Sequence, residues 1–248
     1  MMSVEAVDRL GHIRARMDED GRVKVSDLAV ALEVSEMTIR RDLDTLAEQG
    51  LVRRVRGGAL ALGPQRFAER LRSQARAKEQ IAAKLSALVG QSAAVGLDAS
   101  STLQRLAASI EGARELTVVT NGLEAFTALR DRPGITVLLT GGQHDERTDS
   151  LVGPLATRAA EALALDRLLV SAAGITLAGT TEATLEESEV KQALAAVSRE
   201  IVVAVDHTKL GRTGPARCLP LDGIALLVTD LDPGDARLSA YREIVEVL

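Results

Sequence analysis

Apolar positions in the first sixty residues recur at helical spacing. Val4, Val7, Leu10, Ile13 and Met17 stand three or four residues apart, so a helix through them shows one apolar stripe. Gly21 marks its end, and Arg22-Val23-Lys24-Val25 alternates polar with apolar as a short strand does. Ser26 is placed to cap a second short helix carrying Leu28 and Leu32. Ser35 is placed to cap a third from Glu36 to about Gln49, with Gly50 as its stop. Leu51 to Leu60 then reads as two strands folding back at Gly57-Gly58. Helix, strand, helix, turn, helix and hairpin, in that order, predict a winged helix-turn-helix over residues 1–62.

Gly63-Pro64 is a plausible boundary. Residues 63–90 hold six basic and two acidic side chains and read as a mostly helical linker. Beyond it, aliphatic runs at Ala94–Asp98, Leu116–Thr120, Ile135–Thr140, Arg167–Ala172, Ile201–Asp206 and Ala225–Asp230 alternate with amphipathic stretches at 101–110, 122–131, 154–165, 184–198 and 235–247. Apolar strands separated by helices mean a mostly parallel sheet covered on both faces. The expected fold class is therefore α/β: the winged helix-turn-helix, then a mostly parallel sheet domain over 91–248.

Aromatic residues make up 1% of the chain, so both cores must be aliphatic. The single cysteine rules out an internal disulfide and a multi-cysteine zinc site. The apolar runs are too short to span a bilayer, and no charged-then-apolar leader opens the sequence. A cytoplasmic protein without a cofactor or a metal is the expectation. The formal net charge of −5 means that any affinity for nucleic acid must rest on local basic clusters.

Such a cluster is present. Ile39, Leu43 and Leu46 share the inward face of the third helix, which turns Met37 and Arg41 outward, with Thr38 and Arg40 flanking them. Ser35, Glu36, Met37, Thr38, Arg40 and Arg41 thus form the part of a recognition helix that reaches base edges in the major groove of double-stranded DNA. Arg53, Arg54 and Arg56 on the hairpin add a basic wing for phosphates. The bland alternative, solvated surface charge, keeps some weight, because residues 1–62 hold ten basic and eleven acidic side chains.

In the second domain the polar residues gather where strands end. Asp98-Ala99-Ser100-Ser101-Thr102 runs from a strand into a helix, where free N–H groups and three hydroxyls make a phosphate cradle. Helix capping by a serine is the competing role. Thr120-Asn121 and Thr140-Gly141-Gly142 each end a strand. Glu187, Glu189 and Lys191 lie near a helix start, where Glu187 and Lys191 would also suit an ordinary surface ion pair. Asp206 and Lys209 follow a further strand, and Lys209 could reach a phosphate.

Thr38-Ile39-Arg40-Arg41-Asp42-Leu43, Leu46, Gly50 and Arg56-Gly57-Gly58-Ala59 resemble the DeoR family of bacterial regulators. The resemblance continues through Glu69-Arg70, Lys78–Ala82, Asp98–Thr102, Thr120-Asn121, Gly141-Gly142, Gly153, Glu187–Lys191 and Asp206–Lys209. It implies a second domain similar to ribose-phosphate isomerases and coenzyme A transferases. It also implies a homo-oligomeric repressor that senses a phosphorylated sugar or polyol at the Asp98–Thr102 loop. Two positions depart from the family pattern: Ser100 stands where glycine is usual and Gly122 where a second asparagine is usual. A rival reading is an isomerase-like enzyme with a DNA-binding appendage, using Glu187 or Glu189 as base with Lys191 or Lys209. A pure sensor without catalytic residues is preferred, because a fold alone does not confer activity.

Overall fold

The computed structural model describes residues 4–48, 52–61 and 67–248. Gly50, Leu51 and Gly63-Pro64 lie outside them. The chain forms two compact units, Met1–Arg70 and Leu71–Leu248.

In the first unit, α1 (Val4–Asp20) leads into β1 (Arg22–Lys24), α2 (Val25–Ala31), α3 (Glu36–Glu48) and the hairpin β2 (Val52–Val55) and β3 (Gly58–Ala61). This is the expected winged-helix order. Leu10, Ile13 and Met17 of α1 pack with Leu28, Ile39, Leu43, Leu46, Val52 and Ala59 in one core. Each fully buried large aliphatic side chain contributes about 1.5–3 kcal/mol. One detail differs from expectation. Ser26 does not cap α2, because the helix already starts at Val25, whose N–H donates to the Gly57 carbonyl at 2.9 Å. The hairpin turn thus satisfies an N–H that the helix start leaves free, and the Ser26 hydroxyl donates to Asp27 instead.

The segment 63–90, expected as a linker, supplies α4 (Phe67–Arg72) and α5 (Ala75–Val89). α5 is a full layer of the second unit, with Ile81, Ala82, Leu85 and Val89 buried in its core. Its Lys84 Nζ donates to the carbonyls of Thr229 and Leu231 at 2.8 and 3.1 Å.

The second unit is built on β4 (Ala94–Leu97), α6 (Ser101–Ser109), β5 (Leu116–Thr120), α7 (Leu123–Leu129), β6 (Ile135–Leu139), α8 (Pro154–Glu161), β9 (Leu165–Val170), α9 (Leu185–Ala196), β12 (Ser198–Ala204), β14 (Leu226–Val228), α10 (Ser239–Arg242) and β15 (Glu246–Val247). Seven strands pair in the order β15-β14-β12-β9-β4-β5-β6, all parallel. Alternate strand residues feed two cores: Leu97 and Leu169 pack with α5, α6 and α7, while Leu168 and Val170 pack with α8 and α9. The buried thiol of Cys218 belongs to the second of these cores.

Two smaller sheets were not foreseen: β7 (Gln143–Asp145) with β8 (Ser150–Val152), and β10 (Gly174–Thr176) with β11 (Gly179–Glu182) and β13 (Ala216–Arg217). The helix expected over 235–247 is also replaced. A 3-10 turn at Ala236–Leu238 and the four-residue α10 give way to β15, which pairs with β14. Pairing there covers a backbone edge that a helix would leave open.

Sheet order fixes where a ligand can enter. From β4 the chain adds β5 and β6 on one side, then returns to place β9 on the other. The crevice at the carboxyl ends of β4 and β9 is thus a topological switch point, the usual ligand position in an open α/β sheet.

Candidate functional site

On α3 the Ser35 hydroxyl accepts from Thr38 N at 3.2 Å and caps the helix. Glu36, Met37, Arg40 and Arg41 are exposed, with Thr38 partly so. Arg40 Nη2 lies 3.0 Å from Glu36 Oε2 in an exposed i, i+4 pair, the kind that contributes little. Arg41 forms no ion pair among the described residues.

Asp42, next in the chain, points inward and is buried. Its two oxygens accept from Arg9 Nε at 2.5 Å and Nη2 at 3.1 Å, a bidentate clamp between α1 and α3. Sequence reasoning quoted Asp42 without giving it this role. The available signal was its position three residues after buried Ile39, because a carboxylate on an inward face needs a partner.

The wing needs a correction. Strand alternation sends Arg53 and Arg54 to opposite faces. Arg53 and Arg56 are exposed. Arg54 turns toward α3, where its Nε donates to Asp44 Oδ1 at 2.8 Å and its Nη1 to the Gly58 carbonyl at 2.8 Å. Arg54 therefore fastens hairpin to helix, and its guanidinium is already engaged.

In the second unit, Asp98 is fully buried at the switch point. Its Oδ1 accepts from Ser100 N at 3.0 Å and its Oδ2 from Ser171 N at 2.9 Å. This ties the ends of β4 and β9 together. Lys191, buried on α9, places Nζ 2.9 Å from Asp98 Oδ2, 2.6 Å from Glu182 Oε1 and 2.9 Å from the Ser171 carbonyl. The contacts to Glu182 and the Ser171 carbonyl are hydrogen bonds, and the contact to Asp98 is an ion pair. Lys191 and Asp98, expected as ligand contacts, hold the crevice wall together.

Glu187 is buried nearby, near enough to Lys191 and Glu182 to influence the ionisation of both. Glu189 is exposed on the outer side of α9 and does not join them. The expectation of a surface Glu187–Lys191 pair does not describe this arrangement.

Glu182, on β11, was missed, and its position in a run of short polar strand residues gave no sign of burial. Burial pushes its carboxyl up to about 7, and the neighbouring Lys191 ammonium only partly opposes this. The three surrounding carboxylates keep Lys191 charged by raising its pKa against the effect of burial.

Three loops lie side by side at the ends of β4, β5 and β6. Ser100 caps α6, its hydroxyl accepting from Leu103 N at 3.2 Å. Ser100 has φ −85°, so its backbone needs no glycine. Ser101 and Thr102 are buried, and their N–H groups, at the helix start, find no acceptor among the described residues. Thr120 Oγ1 accepts from Gly122 N at 3.0 Å.

Asn121 Nδ2 donates to the Leu151 carbonyl at 3.2 Å, while its buried Oδ1 has no partner. Gly122 lies against Ala99: a Cβ there would stand 2.8 Å from the Ala99 Cα. That contact explains the absent second asparagine, because any side chain at 122 would push the Asp98–Thr102 loop away. Thr140 N donates to the Thr120 carbonyl at 3.0 Å, which sets Gly141 and Gly142 beside the same edge.

Asp206 and Lys209 are not brought to this group. They follow β12, two strands from β4 and about 10 Å across the sheet. Asp206 is buried and accepts from Thr208 N and its hydroxyl, and Lys209 is half-buried on the same 3-10 turn. His207, which sequence reasoning did not select, pairs Nδ1 with Asp230 Oδ2 at 2.7 Å. Among the described residues no cluster of acidic, histidine or cysteine side chains is disposed to hold a metal. Among the described residues no helix is long and apolar enough to cross a membrane.

The model of the DeoR-like helix-turn-helix domain matches residues 9–65, and that of the DeoR C terminal sensor domain matches residues 73–231. The chain belongs to the DeoR family. It is a DNA-binding transcriptional regulator with a sensor domain. Among curated relatives of this DeoR-family chain, the HTH-type transcriptional regulator GolR of Listeria innocua is 35% identical over 93% of the chain and 91% of its own length. The HTH-type transcriptional repressor GlcR of Bacillus subtilis is 31% identical over 92% and 90%. The lactose phosphotransferase system repressor of Lactococcus lactis is 28% identical over 97% of both. Among solved structures, ribose 5-phosphate isomerase from Plasmodium falciparum aligns with 55% of the chain and 52% of its own length at TM-score 0.38 and 16% identity, too slight a likeness to bear on function.

Proposed function

We propose that this regulator represses genes of sugar or polyol metabolism and leaves its operator when a phosphorylated sugar or polyol binds at the strand ends of its second unit. One observation carries this: unfilled polar groups of opposite kind sit on adjoining loops. The N–H groups of Ser101 and Thr102 offer donors at the positive end of α6, which suits a phosphate. Asn121 Oδ1, buried and without a partner, calls for a hydroxyl donor. The contact between Ala99 and Gly122 holds the two loops together.

The effector works by binding one state of the regulator more tightly than the DNA-binding state. The regulator acts in the cytoplasm as a homo-oligomer, whose paired helix-turn-helix units meet two operator half-sites. The sensor binds without turnover. Lys191, one of the two cations the isomerase reading offers, is already held by Glu182, Asp98 and the Ser171 carbonyl, and Lys209, the other, lies two strands from β4.

Thermal unfolding across a panel of phosphorylated sugars and polyols tests the proposal. At least one should raise the melting temperature while its unphosphorylated parent does not. Ser101→Asp should abolish that shift by like-charge repulsion and leave operator binding intact. A normal response in that variant would move the phosphate elsewhere. Turnover of ribose 5-phosphate, lost in Glu187→Ala, would restore the enzyme reading.

A further inference from the structure

Two motifs shared with the family, Glu69-Arg70 and Lys78–Ala82, lie outside both the DNA-reading surface and the strand-end loops. They stand on either side of the bend between α4, which ends at Arg72, and α5, which begins at Ala75. Within the bend Gln74 has φ 53° and ψ 36°, the left-handed region that disfavours a side chain. Carbonyls at the end of a helix lack backbone donors, and here two cations supply them. Lys78, buried on α5, donates from Nζ to the Ser73 carbonyl at 2.7 Å. Arg105, on α6, donates from Nη2 to the Leu71 carbonyl at 2.7 Å and from Nη1 to Glu79 Oε1 at 3.0 Å.

The tie made by Arg105 is incomplete. Its Nε is buried and has no acceptor among the described residues. A buried donor left unpaired is costly, and a static tie gives no return for that cost. The guanidinium also borders an open groove of about 600 Å³ lined by Leu71, Glu79, Ala82 and Gln104, so it has room to change partners. Neither the unpaired Nε nor the left-handed Gln74 favours this arrangement by itself, and each is kept in place by the bonds around it. The bend is therefore poised between a tied and an untied form.

Arg105 lies one turn after Ser101 on α6, whose Leu103 and Leu106 pack in one core with Ile81 and Leu85 of α5. We propose that Arg105 is the positioning residue that couples effector occupancy of the α6 N-terminus to the α4–α5 bend, and through the bend to operator affinity. The inference rests on the effector site proposed above. A phosphate drawn onto the N–H groups of Ser101 and Thr102 acts on a short rigid helix whose next turn carries Arg105. A small displacement of that turn is enough to break the Leu71 bond, because hydrogen bonds weaken steeply with distance and angle. Leu71 opens the second unit, so the carbonyl that Arg105 holds lies where the chain passes on to the helix-turn-helix. Arg105 needs no contact with effector or DNA to act in this way.

Coupling is reciprocal, so it is read first from the operator side, where no effector is needed. Amide hydrogen exchange is followed in the full chain, alone and with a duplex selected by it from a random-sequence pool. Wild type, Arg105→Ala and Glu79→Gln are compared. In wild type the duplex should alter exchange in the first turn of α6. In Arg105→Ala that change should vanish, while Glu79→Gln, which keeps the Leu71 bond, should behave as wild type. The second reading uses ribose 5-phosphate, glucose 6-phosphate and glycerol 3-phosphate as probes. A probe that raises the wild-type melting temperature should weaken operator binding by roughly 5–150-fold. Arg105→Ala should keep the thermal shift and lose most of that release. An exchange effect on α6 that is absent from wild type, or equally large in Arg105→Ala, would overturn the proposal. Release of wild-type size in Arg105→Ala would do the same. If Arg105→Ala folds poorly, Arg105→Gln, which keeps more of the side chain, repeats both readings. Failure of all three probes to shift the wild type counts against the effector site alone, since the exchange reading uses none of them.

Discussion

On α3, Arg40 shares an exposed ion pair with Glu36 and Arg41 forms no ion pair among the described residues, whereas Lys191 is held by Glu182, Asp98 and the Ser171 carbonyl inside the second unit. The first arrangement leaves charge ready for an outside partner. The second closes it, because a buried ammonium and carboxylate are tolerable only when they satisfy each other. The same residue types therefore serve contact in one unit and construction in the other, and exposure separates the two roles. Within the first unit, Arg9 and Arg54 follow the closed pattern, since Asp42 and Asp44 hold them.

The largest expected effect comes from opening the closed pattern. Lys191→Met leaves Asp98 and Glu182 buried without their cation and should destabilise the second unit by about 3–5 kcal/mol, read as a lower urea midpoint. A loss under 1 kcal/mol would show that water or rearrangement compensates, and that the network is not closed.

Arg9→Ala should cost the first unit about 1.5–3 kcal/mol, since Asp42 keeps its burial and loses two charged hydrogen bonds. Operator binding should weaken with it, while effector-induced thermal shifts persist.

Arg41→Ala, by contrast, should leave the melting temperature unchanged and weaken operator binding by about 1–3 kcal/mol where the guanidinium contacts a base. A gel shift measures the second and calorimetry the first. A fall in stability would place Arg41 with the structural arginines.

The last expected effect is a slope. Glu182 has its carboxyl raised from 4.5 to about 7, so between those values the folded chain holds a proton that the unfolded chain has released. Its contribution to stability is greatest at the acid end of that window and declines as the pH rises through it, levelling off above about 7. Glu182→Gln should flatten the decline in urea unfolding measured across the window. An unaltered slope would assign the pH dependence to other groups.

Much of this was readable before any coordinates. The apolar stripe through Leu10, Ile13 and Met17 and the inward trio Ile39, Leu43 and Leu46 specify the winged helix, because helical period and burial coincide there. Every main-sheet strand except β15 falls within or overlaps an aliphatic run of the sequence, as expected for strands buried on both faces. β15 escaped notice because two residues carry no period, and the small antiparallel sheets are invisible for the same reason.

The loops at the strand ends were legible through their hydroxyls and glycines. The network behind them was not. Lys191 and Glu187 have the spacing of a surface pair, and only the tertiary packing of α9 makes them interior. Arg53 and Arg54 looked alike as neighbours in a basic run, although strand alternation alone sends them to opposite faces.

Cys218, the single cysteine of the chain, is buried, and that burial pushes its thiol up. The thiolate is the reactive form, so the native protein offers alkylating reagents and mild oxidants almost nothing to attack, and no disulfide can join its own residues. The same isolation makes the thiol a built-in clock. Labelling with a fast thiol reagent times each opening of the core behind α9, and the rates with and without effector or operator compare breathing motions without introducing a foreign probe.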